Sequence, residues 1–182
     1  ADACYLDNLS TLEILQKYDD LDTITSDFPE MPVGAVFNKN DVELSSKFKQ
    51  FIDEFKASPA AEEMKNRWYS KVSDSSHCDL QEVKTGTPLR VACMANDVPF
   101  EFMLNGVLDG YDIELMRRFA IWLNRPVEFS TMEFPSIMPT ISSGKADVAV
   151  SVINITEERE KVVKMVPYLS SRTVLLYRKT DT

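Results

Sequence analysis

The stretch Ala146 to Arg159 constrains this chain more than any other. Ala146–Ile153 is a short apolar run rich in β-branched residues, the pattern of a buried strand. Thr156 then offers a helix N-cap, and Glu157 and Glu158 suit the positive end of a new helix. Arg159 falls in the same first turn, where a cation opposes the helix dipole at a cost of about 0.3–1 kcal/mol. An anion at this junction would reconcile the pattern, because free backbone N–H groups, the dipole and a forked guanidinium would converge on one carboxylate. The competing arrangement turns Arg159 away onto Glu157, Glu158 or a neighbour.

The rest of the chain supplies the frame. Residues 1–7 read as a strand ending at Asp7, followed by a helix over 9–17 and a short strand over 22–25. Pro32 opens or edges a strand over 31–38. Asp41 caps a helix whose Leu44, Phe48, Phe51, Ile52 and Phe55 recur at three- and four-residue steps, giving one wide apolar stripe. Ser58-Pro59 restarts a helix running to about Tyr69, with Met64 and Trp68 facing inward. Residues 71–87 are polar and aperiodic, a linker. A strand over 89–94 follows, then a loop over 97–102 with an aromatic edge and the hairpin signal Asn105-Gly106. Asp112 is expected to cap a helix to about Asn124, whose buried face is Ile113, Met116, Phe119, Ala120 and Leu123. A strand over 127–129, a helix over 136–143 ending at Gly144, and a final strand over 171–179 complete the order. From residue 88 strands alternate with helices, as in a parallel-type α/β sheet, whose ligands sit at the carboxyl ends of its strands. Asp97 and Asn154–Arg159 both fall there.

Composition narrows the partners. A net charge of −9 disfavours nucleic acid or an anionic membrane surface as the main partner. No apolar run approaches the roughly 18 residues of a membrane span. Cys4 and Cys93 lie in apolar strand-like runs and are expected as small core residues. Cys78 adjoins His77, the only histidine, but a structural metal site wants four ligands and no second pair has the spacing; no metal or cofactor is expected. A Cys78–Cys93 disulfide stays open. The opening Ala-Asp-Ala-Cys-Tyr-Leu reads as the inside of a strand, so a mature or excised piece of something longer is expected.

Six blocks carry a resemblance. Leu89-Arg90-Val91-Ala92, Pro99-Phe100-Glu101-Phe102, Gly110-Tyr111-Asp112-Ile113-Glu114-Leu115, Ser143-Gly144-Lys145-Ala146-Asp147-Val148, Ile155-Thr156-Glu157-Glu158-Arg159 and Pro167-Tyr168 are similar to blocks of the bacterial extracellular solute-binding proteins of the amino-acid type, family 3. These have the type II periplasmic, or Venus-flytrap, fold. Residues 88–180 resemble the first half of that family, whereas residues 1–70 resemble its final third: the order is inverted, and most of the second lobe is absent. The resemblance implies a mixed, mostly parallel five-stranded α/β sheet flanked by helices, in permuted block order. It divides the chain into a second-lobe remnant (1–30), the returning strand and helix pair of a first lobe (31–70), the linker (71–87) and the first half of a first lobe (88–182). A tandem-protein fragment and a permuted variant both fit, and residues 1–30 could be docked loosely or exchanged with another chain, giving a domain-swapped dimer.

The same resemblance assigns a site. Arg159 matches the arginine that grips a ligand α-carboxylate, Thr156 the cap behind it, Phe134 an aromatic wall, and Asp7 the acidic partner of the ligand ammonium. Departures occur at Val152 (usually glycine), Asn154 (usually threonine), Asp97 (usually an aromatic clamp) and Met94 (usually polar). The implied function is extracytoplasmic binding of a small zwitterion or carboxylate, an amino acid foremost, for an ABC-type permease. A sensor input module, a dehydratase-like enzyme using Asp97 and an interaction module with a vestigial pocket are the alternatives.

Overall fold

The computed structural model describes residues 3–25, 27–70, 72–73 and 76–179; the first two residues of the expected 1–7 strand and the last three of the 88–182 segment lie outside these. A five-stranded mixed sheet forms the centre, in the order β10 (Val163–Ser171), β3 (Met31–Asn38), β9 (Val148–Ala149), β4 (Leu89–Cys93), β8 (Val127–Thr131). β4 runs parallel to both β8 and β9, while β3 is antiparallel to β9 and β10. Strand alternation decides the two faces. Val33, Ala35 and Phe37 of β3 and Leu89, Val91 and Cys93 of β4 enter one apolar core, whereas Val36 and Ala92 enter the other.

The first core is closed by three helices: α2 (Val42–Lys56), α3 (Pro59–Tyr69) and α4 (Tyr111–Trp122). Asp41 caps α2 as expected, its carboxylate accepting the Leu44 N–H at 3.0 Å. The predicted stripe is buried, and Phe48 and Phe51 meet Phe119 of α4 with ring centroids 5.0 and 5.2 Å apart. Glu114 of α4, fully buried, accepts bonds from Arg67 and Trp68 of α3 and from Arg118. Residues 31–70 therefore complete the layer begun by residues 88–179. The second core lies under α5 (Phe134–Ser142), through Ile137 and Ile141.

A separate three-stranded antiparallel sheet has β11 (Thr173–Arg178) between β1 (Ala3–Asp7) and β2 (Leu21–Thr25). α1 (Thr11–Lys17) follows β1, and Gln16 donates to the Ser70 carbonyl at 2.9 Å.

Several expectations are corrected. The 97–102 segment is no free loop: β5 (Asn96–Asp97), β6 (Glu101–Leu104) and β7 (Val107–Asp109) form a small antiparallel sheet, with Asn105-Gly106 at the β6–β7 turn. Asp112 does not cap α4. Gly110 precedes the helix at φ 131°, where an added Cβ would sit 2.2 Å from the Phe100 carbonyl oxygen, and Asp112 lies inside the first turn with its side chain committed elsewhere. The strand expected over 146–153 shrinks to β9, because the chain leaves the sheet after Val150 and Val152 takes φ 47°. α5 begins at Phe134, two residues earlier than expected. The helix after Thr156 is a single turn, α6 (Glu157–Glu160). β10 was not expected at all; Pro167 and a register shift between Pro167 and Leu169 interrupt its alternation. Cys4 is exposed, since β1 is an edge strand paired only with β11, and all three cysteines are free. The linker is fastened: His77 meets Asp109, Arg117 meets Glu82, and Arg67 donates to the Ser76 carbonyl at 3.1 Å.

Candidate functional site

Three segments meet where the parallel strands end. Beyond β4 come Met94 to Asp97, beyond β8 Met132 to Phe134, and beyond β9 Val150 to Arg159. Backbone bonds draw them together: Met132 N donates to the Cys93 carbonyl at 2.9 Å and Val150 N to the Ala92 carbonyl at 3.1 Å. The Ser151 hydroxyl accepts Met94 N at 2.8 Å.

Arg159 sits at this edge, half-buried. Thr156 Oγ1 accepts the Arg159 N–H at 3.3 Å, the expected cap. The guanidinium turns back: Nη1 donates to the Asn154 carbonyl at 2.6 Å, and Cζ lies 5.5 Å from the centroid of the Phe134 ring. Among the described residues Arg159 has no ion-pair partner, while Glu157, Glu158 and Glu160 are exposed. A guanidinium has five N–H donors in a fixed fork; one is used here, and the ring face steadies its plane. Phe134, 37% exposed, presents that ring to the surface rather than to the core.

Asn154 is tied to the crossing strands. Its Oδ1 accepts the Ser171 hydroxyl at 3.1 Å, and its backbone bridges Val33. Ile155 N donates to Pro32 O at 2.8 Å and Gly34 N to Ile153 O at 2.9 Å. Gly34 permits this approach, as a Cβ there would meet the Ile155 side chain at 2.8 Å. Val152 occupies the left-handed region at φ 47°, where a β-branched residue is strained. Its N–H points to Asp112 Oδ2 at 3.4 Å, and the same oxygen accepts the Tyr168 hydroxyl at 2.7 Å.

A second group is acidic. Asp97 is pushed up to about 6, first by burial and then by the negative charges of Glu13 and Asp7. The structure thus brings Asp97 and Asp7 into one electrostatic neighbourhood and adds Glu13, which sequence reasoning missed because its α1 position reads as an ordinary solvated helix face. Asp7 also accepts the Leu9 N–H at 2.8 Å. Asp97 forms no ion pair with Arg159 among the described residues. A cavity of about 540 Å³ lies further along, between α3 and β10, lined in part by Lys65, Tyr69, Tyr111 and Tyr168; none of the expected site residues lines it. Among the described residues no cluster of three metal-ligating side chains occurs.

Residues 89–182 match the sequence profile of the bacterial extracellular solute-binding proteins, family 3. The chain belongs to that family. A probable amino-acid-binding protein, YxeM, of Bacillus subtilis (strain 168) is 27% identical over 95 residues, covering 52% of this chain and 36% of that protein. A probable histidine-binding protein of Neisseria gonorrhoeae is 32% identical over 96 residues, again 52% and 36%. ABC transporter arginine-binding protein 1 of Escherichia coli (strain K12) is 30% identical over 83 residues, 44% and 34%. Each is named as a binding protein, and this chain spans about a third of the length of these relatives. Among solved structures, an ancestral arginine-binding protein bound to arginine is 45% identical over 41% of this chain and 34% of its own, with a TM-score of 0.40. The arginine-bound domain 1 of TmArgBP is 31% identical over 50% and 79%, with a TM-score of 0.43.

Proposed function

We propose that this family 3 chain carries the amino-acid-binding lobe of an extracytoplasmic solute-binding protein serving an ABC-type permease, and that its ligand is an amino acid with a cationic side chain. The observation that carries the reading is the Arg159 guanidinium, stacked on Phe134 and bonded to a backbone carbonyl but to no carboxylate. Such a group at the mouth of a sheet is a seat for a ligand α-carboxylate. Asn154 and Val152 frame that seat through backbone groups, and Thr156 fixes the turn from which Arg159 projects. Asp97 and Asp7 favour a cation at the other end of the ligand, Glu13 being already paired with Lys17, in line with relatives named for histidine and arginine binding.

In this reading residues 31–70 and 88–179 form the first lobe. Residues 1–30 and β11 represent the second, placed in permuted order, and exchange of residues 1–30 between two copies would give a swapped dimer. No helix among the described residues is long and apolar enough to cross a membrane. Closure of two lobes would be the signal a permease reads.

Isothermal calorimetry with the twenty amino acids tests this. The expected result is binding of L-arginine, L-lysine or L-histidine in preference to L-glutamate, and a loss of roughly 100-fold or more in affinity for Arg159→Ala, the size of an unpaired buried carboxylate. Silence with all twenty, or equal affinity in Arg159→Ala, overturns it.

A further inference from the structure

Beneath the candidate site lies a pair of acids that no step of ligand contact uses. Glu101 of β6 and Asp112 of α4 are both 0% exposed. Asp112 N donates to the Phe100 carbonyl at 2.9 Å, which seats the two residues side by side. Among the described residues no N–H or O–H donor reaches either oxygen of Glu101 or Oδ1 of Asp112. The Ser151 hydroxyl faces Glu101 without closing a bond of ordinary geometry. Neither acid makes an ion pair among the described residues. Three buried carboxyl oxygens without donors are untenable if both groups are charged. One proton held between them, donated by one carboxyl to the other, satisfies two of the three and leaves the third on the uncharged group.

The remaining oxygen, Asp112 Oδ2, is the one that faces the site. It accepts the Val152 N–H on one side and the Tyr168 hydroxyl on the other. Val152 holds a strained φ at the floor of the candidate site, and Tyr168 belongs to β10, which leads through Arg172 into β11. Strain of this kind persists only where neighbours over-determine it.

We propose that Glu101 and Asp112 share a proton and act as a positioning pair, holding the Val152–Asn154 segment and the β10 crossing in the geometry that presents Arg159. This rests on the site assignment above. The groups facing the pair are Asp97 from β5, Tyr111 on α4, Tyr69 on α3, Tyr168 on β10 and Cys93 on β4. Asp97 adds negative charge, and the tyrosines and the thiol are raised by burial and stay neutral near pH 7. Burial first, and then their mutual repulsion and that of Asp97, pushes Glu101 up to about 10. Burial likewise raises Asp112 to about 7, against the opposing bonds from Tyr168 and Val152. Glu101, the more strongly raised of the two, carries the shared proton, and Asp112 is the group whose charge answers to pH.

Amide ¹⁵N–¹H spectra of the chain between about pH 5 and pH 9 test the pair without any ligand. The Val152 cross-peak is expected to titrate near neutrality in the wild type. In Glu101→Gln, whose amide replaces the shared proton as donor to Asp112, its midpoint stays close to the wild-type value, and in Glu101→Leu, which removes that donor, it moves to higher pH. In Asp112→Asn it stops moving. L-arginine affinity measured by calorimetry should change about fivefold across the same range, the equivalent of exchanging a charged for a neutral acceptor in one hydrogen bond, and should become flat in Asp112→Asn. A stationary Val152 peak in the wild type, or an unchanged midpoint in Glu101→Leu, overturns the proposal. If Asp112→Asn fails to fold, the Glu101→Leu midpoint decides. If arginine does not bind but Val152 titrates as described, the positioning pair stands and the ligand assignment falls.

Discussion

Glu114 offers the sharpest test of how this chain is built. Its carboxylate is fully buried and accepts from Arg67 Nη2 at 3.1 Å, Trp68 Nε1 at 2.7 Å and Arg118 Nε at 2.9 Å. Arg67 and Trp68 belong to α3, in the block that precedes the linker; Glu114 and Arg118 belong to α4, in the block that follows it. Truncation in Glu114→Ala leaves two guanidinium groups without their anion and the indole N–H without an acceptor. Removing one partner of a buried pair costs about 3–5 kcal/mol, or about 6–20 °C in Tm for a chain of this size. Glu114→Gln keeps the volume and one acceptor and should cost about 2 kcal/mol. Burial alone would raise the Glu114 pKa, but the bonds from Arg67, Trp68 and Arg118 hold it below the usual carboxylate range. The sign of the pH dependence follows: this stability is complete above the unfolded value near about 4.3 and is lost as pH falls through the lower folded value. Urea unfolding followed by tryptophan fluorescence, from about pH 7 down to about pH 3, should show the gap between wild type and Glu114→Gln closing in acid. A Glu114→Ala variant within about 1 kcal/mol of wild type would mean that the two blocks do not form one cooperative unit, and the reasoning would fail.

Other outcomes follow from single positions. Gly110→Ala should destabilise by at least about 3 kcal/mol, because the new Cβ collides with the Phe100 backbone at φ 131°; a smaller loss in denaturant titration would refute the packing. Val152→Gly should be neutral to stabilising by up to about 1 kcal/mol, relief of left-handed strain being offset by glycine entropy, read as a shift in urea midpoint. His77 is raised chiefly by its bond to Asp109, so its contribution to holding the linker is complete below about pH 6.5 and fades as pH rises through the higher folded value. Tryptic cleavage after Lys84 should therefore quicken with rising pH in wild type and lose that dependence in His77→Ala.

Local rules carried much of the architecture. The Phe48–Phe51–Phe55 stripe, the Asp41 cap, the Ser58-Pro59 restart and the Asn105-Gly106 turn are each decided within one or two turns of chain, and each stands as expected. Failures came where distant partners rule. Asp112 has the chemistry of a cap, but Tyr168, 56 residues on, takes its oxygen. β9 is short because its neighbours diverge at the site, and β10 hides behind Pro167 and a bulge. The Arg159 turn and its Thr156 cap were legible because they are local. The Glu101 partnership was not, because an acid between Phe100 and Phe102 reads as an ordinary alternating strand until the fold seals both faces.

The β1–β11–β2 sheet is joined to the five-stranded sheet by two covalent tracks, residues 27–30 leading into β3 and Arg172 between β10 and β11, which lie side by side because β3 and β10 are antiparallel partners. Two adjacent ropes resist twisting about their common direction but yield readily to folding across it, as a door hangs from paired pins. A guest bound as proposed above would therefore be expected to swing the β1–β11–β2 sheet across the paired Met31 and Ser171, where the two tracks enter the central sheet.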